Sequence, residues 1–394
     1  MKILTFTTLF PNAVKPNNAI FVETRLRHLV ASGQVDSRVV APVPWFPFAS
    51  DRFGAYGDFA RVPEDENRFG IEVRHPRYPV IPKVGMNMAP ALLARAARAS
   101  VARLIDEGFD FDLIDAHYFY PDGVAAVKLG KYFNKPVVIT ARGSDISLIP
   151  QYRAPRAMIQ WAAANAAAMI TVCNALKTEL VALGAAEERI TPLRNGVDLV
   201  RFQPAERAAL RADLGLDSYT LLSVGHLVAL KGHDLAIGAL AMLPGVRLMI
   251  AGSGVERERL EALARELKVT DRVRFLGAVP QAELPRYYNA ADALVLASSR
   301  EGWANVLLEA MACGTPVVAS NVWGTPEVVA SPDAGVLMGE RSARGVADAV
   351  EALRAASPQR SATRRYAEQF SWDATTAGQL KLFESILQQK RKAA

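Results

Sequence analysis

The chain has 394 residues, of which 51% are hydrophobic and 22% are charged. This length allows about two domains, and the composition excludes a disordered chain because it can fill hydrophobic cores. The formal net charge is +6, with only a small excess of Lys and Arg in each half, so the sequence shows no basic cluster of the kind that binds nucleic acid. Cys173 and Cys313 lie in apolar segments, which predicts two buried thiols and a reducing, cytoplasmic environment.

Two apolar segments must be distinguished from targeting and membrane sequences. Residues 1–11 are too few for a signal peptide and are typical of a first buried strand. Residues 157–176 contain no charge, but they are mostly alanine and include Gln160 and Asn165. That composition favours a buried helix followed by a short strand over a membrane span.

In the first half, short apolar runs alternate with helical patterns, an order that predicts a parallel sheet covered by helices. Strands are predicted at residues 2–7, 37–41, 113–116, 136–140 and 169–172. Helices are predicted at residues 19–32, 90–107, 123–133, 155–167 and 175–183.

The second half repeats this alternation. Strands are predicted at residues 221–225, 247–251, 273–276, 293–296, 317–319 and 335–338. Helices are predicted at residues 234–242, 255–267, 281–290, 306–313, 326–329 and 343–355.

The expected fold class is therefore α/β, with two Rossmann-like, doubly wound domains. A turn signal at Asn195-Gly196 marks the boundary region. The apolar residues between positions 366 and 389 are too numerous for a free tail, so helices packed back on the body are expected. The first domain is predicted to comprise residues 1–200 and a C-terminal helix at 373–394, and the second to comprise residues 201–372.

Polar residues follow two predicted strands of the first half. His117 ends one strand, and Arg142 and Asp145 belong to an Arg-Gly-Ser-Asp turn after the next. In α/β sheets, ligands bind outside the carboxyl ends of the strands. A lone histidine is usually structural, but a histidine and this turn at adjacent strand ends favour a functional site. Asp110-x-Asp112 lies at the opposite end of its strand and is predicted to be a solvated turn rather than a metal motif.

Two glycine-containing loops follow strands of the second half. The loop from Gly225 to Gly232 contains His226 and Lys231, which can reach a diphosphate, although a solvated surface loop is the alternative. The next loop contains Gly252 and Gly254, and glycines there let a ligand approach the backbone. Plain strand–helix turns also contain such pairs, and the absence of a full Gly-x-Gly-x-x-Gly argues against a nicotinamide cofactor.

Residues 297–320 are the most informative segment, because they predict a strand end, a polar turn, a helix and a second buried strand. Glu301 is placed in the turn and Glu309 within the helix, where both can accept hydrogen bonds from ligand hydroxyls. Asn305 is a suitable N-cap, and the helix N-terminus favours an anion. The segment suits a nucleotide sugar, while two carboxylates in ordinary structural positions remain the alternative.

Together these residues resemble the retaining glycosyltransferases of family 4, also called glycosyl transferases group 1, over nearly the whole chain. The resemblance is most specific at residues 301–320 with Pro326-Glu327, and weaker at residues 140–145, 195–198, 225–232 and 252–254. It implies the GT-B fold, in which two Rossmann-like domains face each other across a cleft. It also implies transfer of a sugar from a nucleotide sugar to a saccharide or lipid-linked acceptor, in cell-surface polysaccharide or glycolipid synthesis.

The resemblance further implies residue roles. Glu301 would bind the donor sugar, Glu309 the ribose, and Lys231 the departing diphosphate, while His117 would lie near the transferred sugar. His117, Lys231 and Glu301 are therefore the candidate catalytic residues. The remaining candidates are His226, Gly225, Gly252, Gly254 and the backbone of Asn305, Val306 and Leu307 on the donor side, and Asp145, Arg142 and Asn18 on the acceptor side.

Three positions depart from the family pattern. His226 stands where the family usually has arginine, and residues 16–19, which include Asn18, replace a Gly-Gly loop. Trp323-Gly324-Thr325 replaces two glycines before Pro326-Glu327. The contacts that these positions make with donor and acceptor therefore need not follow the family.

The family also implies retention of anomeric configuration without a divalent metal or other cofactor, since cations and N–H groups can stabilise a departing diphosphate. Two other functions suit the same architecture. A nucleotide-sugar 2-epimerase would act within a single nucleotide sugar, and a non-catalytic nucleotide-sugar sensor or scaffold would only bind it.

Two segments of the first half are candidates for contact with a lipid-linked acceptor or the inner membrane face. Residues 42–48 are aromatic and Pro-rich, and residues 87–105 are apolar with Arg95, Arg98 and Arg103 interspersed. The favoured alternative is an amphipathic helix that covers the sheet and exposes its arginines. The expected location is cytoplasmic, with peripheral membrane contact left open and no nucleic-acid partner.

Overall fold

The computed structural model describes residues 1–80 and 85–393. The chain divides into two compact units, here called the N-terminal unit (Met1–Arg194 with Asp373–Ala394) and the C-terminal unit (Asn195–Trp372). Ala394, the last residue of the predicted C-terminal helix, lies outside the described residues. Among the described helices, none combines the length and apolar character needed to cross a membrane.

The N-terminal unit is built on one large sheet. Its strands are β1 (Lys2–Phe6), β2 (Asp36–Val40), β3 (Val43–Pro44), β4 (Asp65–Arg68), β5 (Ile71–Arg74), β6 (Arg77–Tyr78), β7 (Leu113–His117), β8 (Val137–Ala141), β9 (Ala168–Thr171) and β10 (Ile190–Pro192). Its helices are α1 (Ile20–Ala31), α2 (Ala55–Arg61), α3 (Ala89–Asp106), α4 (Val124–Phe133), α5 (Ser144–Ser147), α6 (Arg153–Asn165), α7 (Asn174–Ala182) and α16 (Trp372–Ala393).

The strands of this sheet run in the order β10-β9-β8-β7-β1-β2-β5-β4, with β3 and β6 forming a separate parallel pair. Strands β7 and β8 are buried along their whole length, as expected when helices cover both faces. Only β4 runs antiparallel to its neighbour, β5. This hairpin could not be predicted from the sequence, because β4 reads Asp-Glu-Asn-Arg and has no apolar alternation.

The C-terminal unit contains a second, smaller sheet. Its strands are β11 (Thr220–Val224), β12 (Arg247–Ala251), β13 (Val273–Gly277), β14 (Ala293–Leu296), β15 (Val317–Ser320) and β16 (Gly335–Met338). Its helices are α8 (Arg207–Leu214), α9 (His233–Ala239), α10 (Arg257–Glu266), α11 (Leu284–Ala290), α12 (Asn305–Ala312), α13 (Thr325–Val328), α14 (Ala343–Ala356) and α15 (Arg360–Glu368). The strand order is β13-β12-β11-β14-β15-β16, all parallel, so the predicted α/β class with two doubly wound units is confirmed.

Helix α16 completes the core of the N-terminal unit, although it follows the C-terminal unit in sequence. Leu380, Phe383 and Ile386 are buried in one cluster with strand residues such as Ile3 and Leu113. The chain enters and leaves the C-terminal unit at neighbouring points, because the N–H of Val197 donates to the carbonyl of Phe370 at 2.9 Å.

The even spread of charge along the sequence is not preserved in the fold. Helices α3, α4 and α6 pack side by side, with α4 in the middle. Together they carry seven Lys and Arg residues against one carboxylate, Asp106. This cluster was not visible in the sequence, because its cations are distributed over some sixty residues and meet only in the folded unit.

Candidate active site

The glycine loops and the Glu301 segment meet at one edge of the C-terminal sheet. Strands β12, β11, β14 and β15 are neighbours and run parallel, so their carboxyl ends lie side by side. The loops from Gly225, Gly252 and Ala297 leave these ends. The loops that carry Gly225 to Gly232, Gly252 and Gly254, and Glu301 therefore lie side by side.

Lys231 and Glu301 form a direct ion pair at this edge. Lys231 Nζ lies 2.6 Å from Glu301 Oε1, and Ser298 Oγ donates to the same oxygen at 2.7 Å. Both charged side chains are largely shielded from solvent. From the sequence, the two residues were assigned to different parts of the ligand. Their contact was not predicted, because they lie seventy residues apart in the chain.

The fold requires glycine at positions 252 and 254, whether or not a ligand is bound. A Cβ on Gly252 would lie 1.8 Å from the carbonyl oxygen of Gly225, and one on Gly254 would lie 2.4 Å from that of Leu227. The two loops thus pack backbone to backbone, and a side chain at either position would separate them. Gly225 is less crowded, since the nearest atom to its Cβ would be in the flexible Lys231 side chain, at 3.5 Å.

A buried histidine that the sequence analysis did not select supports the first loop. His233 Nε2 lies 3.3 Å from the carbonyl of His226, which can only accept, so this nitrogen carries the proton. Its Nδ1 then accepts from Ser223 Oγ at 2.9 Å. Burial lowers the pKa of His233, which keeps the ring neutral. The His226 side chain itself is exposed.

The start of α12 differs in detail from the prediction. The helix begins at Asn305 and is preceded by Ala304, so Asn305 is its first residue and the predicted N-cap is wrong by one position. Asn305 Oδ1 instead accepts from Asn195 Nδ2 at 3.3 Å. The N–H groups of Asn305 and Leu307 donate to Trp303 and Ala304 carbonyls, at 3.1 and 3.0 Å. Among the described residues, no acceptor is recorded for the N–H of Val306.

Glu309 lies inside α12, as predicted, and its carboxylate is almost fully buried. Tyr288 Oη donates to Glu309 Oε2 at 2.8 Å, and Gln281 Nε2 donates to Oε1 at 3.3 Å. Burial raises the pKa of Glu309 against the lowering effect of these donors. Tyr288 and Gln281 were not found from the sequence, because their only signal is proximity in the fold.

In the N-terminal unit, His117 and Arg142 meet at the carboxyl ends of β7 and β8. Arg142 Nη2 donates to His117 Nδ1 at 2.7 Å, so the neutral ring carries its proton on Nε2. Burial, reinforced by the charges of Arg142 and Arg25, holds the pKa of His117 well below its usual value. His117 is only 1% exposed and is therefore an uncharged, fixed group.

Asp145 stabilises its own Arg-Gly-Ser-Asp turn, which was predicted to lie on the acceptor side. Its carboxylate accepts from the N–H groups of Phe119 and Gly143, both at 2.7 Å, and of Arg142 at 3.1 Å. The residue is fully buried, so its place is that of a turn-stabilising carboxylate rather than of a group exposed to acceptor. Asn18, by contrast, is exposed, and its amide donates weakly to the carbonyl of Phe10 at 3.4 Å.

A series of buried polar contacts links His117 to α16. Asp115 Oδ2 lies 3.5 Å from His117 Nε2 and accepts from Gln379 Nε2 at 2.8 Å. Gln379 Oε1 in turn accepts from Arg25 Nε at 2.9 Å. Gln379 therefore connects a buried guanidinium to a buried carboxylate that do not touch each other.

Replacing this glutamine should destabilise the N-terminal unit. We expect Gln379→Ala to lower the free energy of unfolding by about 2 kcal/mol, because Arg25 and Asp115 each lose a buried partner. Gln388→Ala, at an exposed position of the same helix, is the control and should change little. Equal stability of the two variants in denaturant unfolding would show that the link contributes nothing.

Asp122 is a second buried carboxylate near the same strand ends. Its Oδ2 accepts from the N–H and Oγ1 of Thr8, at 3.1 and 3.0 Å. Burial outweighs these bonds and raises the pKa of Asp122 to about 7. An unfolded aspartate has a pKa of about 3.9. Between the two values the folded chain keeps a proton that the unfolded chain has released, so stability falls as pH rises.

Asp122→Asn should remove this part of the pH dependence. We expect the variant to match the parent near pH 4 and to be more stable by about 4 kcal/mol near pH 8, where the parent must bury a charge. Unfolding curves across this range test the prediction, with Asp106→Asn at an exposed position as the control. Burial also raises the pKa of Asp115 to about 7, so some dependence should remain in the variant.

Comparison with known proteins identifies the family of the chain. Residues 25–201 match the family model described as Glycosyltransferase Family 4, and residues 206–370 match that of Glycosyl transferases group 1. A D-inositol 3-phosphate glycosyltransferase of Saccharomonospora viridis is 31% identical over 348 residues, which cover 81% of this chain and 80% of the relative. The chain is a member of glycosyltransferase family 4.

Other similarities of this glycosyltransferase are partial or structural. A D-inositol 3-phosphate glycosyltransferase of Segniliparus rotundus is 38% identical over 214 residues, but the match spans only 48% of that relative and 51% of this chain. Sucrose-phosphate synthase of Thermosynechococcus elongatus superimposes with a TM-score of 0.81 at 22% identity over 98% of both chains. HepE of Anabaena, in complex with UDP-glucose, gives 0.71 at 20% identity over 100% of both chains. The predicted GT-B class is thereby confirmed.

Proposed function

We propose that this glycosyltransferase moves a hexose from a nucleoside diphosphate sugar to a saccharide or lipid-linked acceptor, with retention of anomeric configuration. The observation that carries the proposal is the shielded Lys231–Glu301 pair, which lies beside the glycine loops at the carboxyl edge of the C-terminal sheet. A cation at that edge can meet a diphosphate, and a carboxylate beside it can accept from sugar hydroxyls.

The proposed chemistry needs stabilisation of charge on the leaving group. As the bond between the anomeric carbon and the phosphate oxygen breaks, the electron pair stays on the diphosphate. Lys231 would meet this charge, and the N–H of Val306 at the start of α12 would add a donor. Because the lysine is held by Glu301 before the ligand binds, little reorganisation is needed.

The remaining residues would position the donor. Glu309 would bind the ribose hydroxyls from a site prepared by Tyr288 and Gln281. His117 is buried, neutral and held by Arg142, so in this proposal it positions Arg142 from the end of β7 rather than contacting the sugar itself. Asp145 would act by shaping the turn that carries Arg142.

Similar proteins support the choice of donor. HepE, which shares the fold at low identity, was crystallised with UDP-glucose. Two of the sequence relatives are D-inositol 3-phosphate glycosyltransferases. We infer that the donor is a nucleoside diphosphate sugar and that the reaction takes place in the cytoplasm and serves polysaccharide or glycolipid synthesis.

A donor and acceptor panel tests the proposal. The purified chain is incubated with nucleoside diphosphate sugars, with and without simple saccharide acceptors, and products are analysed by mass spectrometry and NMR. We expect acceptor-dependent release of nucleoside diphosphate and a product of unchanged anomeric configuration. An epimerised donor formed without acceptor would favour the 2-epimerase, and binding without turnover would favour a sensor.

Metal independence is part of the same proposal. Among the described residues, no group of three or more His, Cys, Asp or Glu side chains is arranged to hold a metal ion. We expect a chelator to leave the transfer rate nearly unchanged. A strict requirement for manganese or magnesium would contradict the role given to Lys231.

A further inference from the structure

Helices α3, α4 and α6 form a continuous basic face on the N-terminal unit. The face carries seven exposed, positively charged side chains: Arg95, Arg98, Arg103, Lys128, Lys131, Arg153 and Arg156. With Asp106 as the one carboxylate on these helices, the face carries a net charge of +6, equal to the formal net charge of the whole chain. The rest of the protein is therefore balanced, and the excess charge has one location.

These cations are not used to stabilise the fold through ion pairs. Within residues 1–80 and 85–393, none of the seven has a carboxylate within 4.0 Å, whereas cations elsewhere in the unit, such as Lys135 with Asp110, are paired. Several of them lie over aromatic rings instead. Arg98 is 4.0 Å from the centre of the Tyr132 ring, and Lys128 and Lys131 are each 5.0 Å from that of Trp161.

Exposed apolar side chains accompany the charges. Tyr132 and Tyr152 are 58% and 55% exposed, although large aromatic rings are usually more buried. The turn Gly85–Asn87, which contacts both α3 and α6, is followed by Met88, and Met86 and Met88 are both exposed. Within the described residues, the seven cations of this face therefore have no carboxylate partner, and exposed tyrosines and methionines accompany them.

We propose that this basic face docks on the surface of an anionic lipid bilayer. Lysines and arginines at such a surface gain from the negative potential of the headgroups, and tyrosine and methionine side chains can enter the interfacial layer. Phosphates of a nucleic acid would also attract the cations, but they offer no apolar layer for the methionines. The inference goes beyond the transfer reaction and does not depend on it.

Vesicle co-sedimentation of the full chain tests the docking directly. We expect binding to vesicles of mixed phosphatidylglycerol and phosphatidylcholine, little binding to phosphatidylcholine alone, and release at high salt, because salt screens exposed charges. The variant R95Q/K128Q/R156Q removes one cation from each helix. Its affinity for the mixed vesicles should fall on the order of a hundred-fold, since each cation contributes about five-fold.

The matched control removes the same charge from the other unit. The variant R259Q/R286Q/R344Q replaces three exposed or half-exposed arginines of the C-terminal unit, each of which is paired with a carboxylate. It should bind the mixed vesicles like the parent. Equal losses in both variants would show that only net charge matters and would overturn the assignment of the face.

Two further measurements separate this inference from the proposed function. Both variants should keep the parent's thermal stability and its transfer rate with a water-soluble acceptor, since none of the six arginines and lysines belongs to the active site. Absence of vesicle binding in an active enzyme would overturn the docking alone. Tight binding to a duplex oligonucleotide at physiological salt, without vesicle binding, would assign the face to nucleic acid instead.

Discussion

Lys231→Ala is expected to lower kcat by about a thousand-fold, as removal of one preorganised charge-stabilising group does in other enzymes. The lysine meets charge that develops on the diphosphate only as the glycosidic bond breaks, so kcat should fall much more than KM rises. Glu301 would keep its bond from Ser298, so the variant should fold normally. Steady-state kinetics with the best donor and acceptor of the panel measure both effects.

The control for this variant is a lysine that has no place in the site. Lys381 lies on the outer side of α16 and is exposed. Lys381→Ala should leave both constants unchanged. If Lys231→Ala retained more than a tenth of the parent's kcat, the ion pair with Glu301 would be a structural feature and the leaving-group role would fall.

Gly232→Ala is expected to destabilise the C-terminal unit strongly and to disturb Lys231, its neighbour in sequence. Gly232 has a φ of +67°, and a Cβ there would lie 2.2 Å from the carbonyl oxygen of Ala297. The left-handed backbone costs about 1–2 kcal/mol for alanine. The clash with backbone that cannot move away adds about 1–3 kcal/mol more.

Gly245 provides a close match for this experiment. It lies in the same unit with a φ of +73°, but a Cβ there meets nothing within 4 Å. Gly245→Ala should therefore cost only the backbone term, and the difference in Tm between the variants isolates the contact with Ala297. Equal Tm values would mean that the loops at the edge of the sheet can separate without cost.

Apolar periodicity was sufficient to predict most of the central elements. Strand β16 was predicted with its observed bounds, and α4 and α14 within one residue, because their apolar positions face a core on one or both sides. Residues without that pattern were missed. Strand β4 is a charged edge strand, and α8 is short and mostly exposed, so neither has a buried face to mark it.

Within the site, the sequence predicted which residues gather but not what they contact. Parallel strand order brings the loops of Lys231 and Glu301 together, which is a property of topology and was inferred correctly. Their ion pair, and the support of Glu309 by Tyr288, depend on side-chain directions that no spacing encodes. For the same reason Gly252 and Gly254 were assigned to the ligand, whereas their crowding comes from the adjoining loop.

The return of α16 to the N-terminal unit sets the order in which the nascent chain can fold. The first 194 residues leave the ribosome without the helix that buries Leu380, Phe383 and Ile386 against their strands. The C-terminal unit is one continuous segment and can close as soon as it is synthesised. The unit that is translated first is thus completed last, and loss of the final residues should damage the part of the protein that is made earliest.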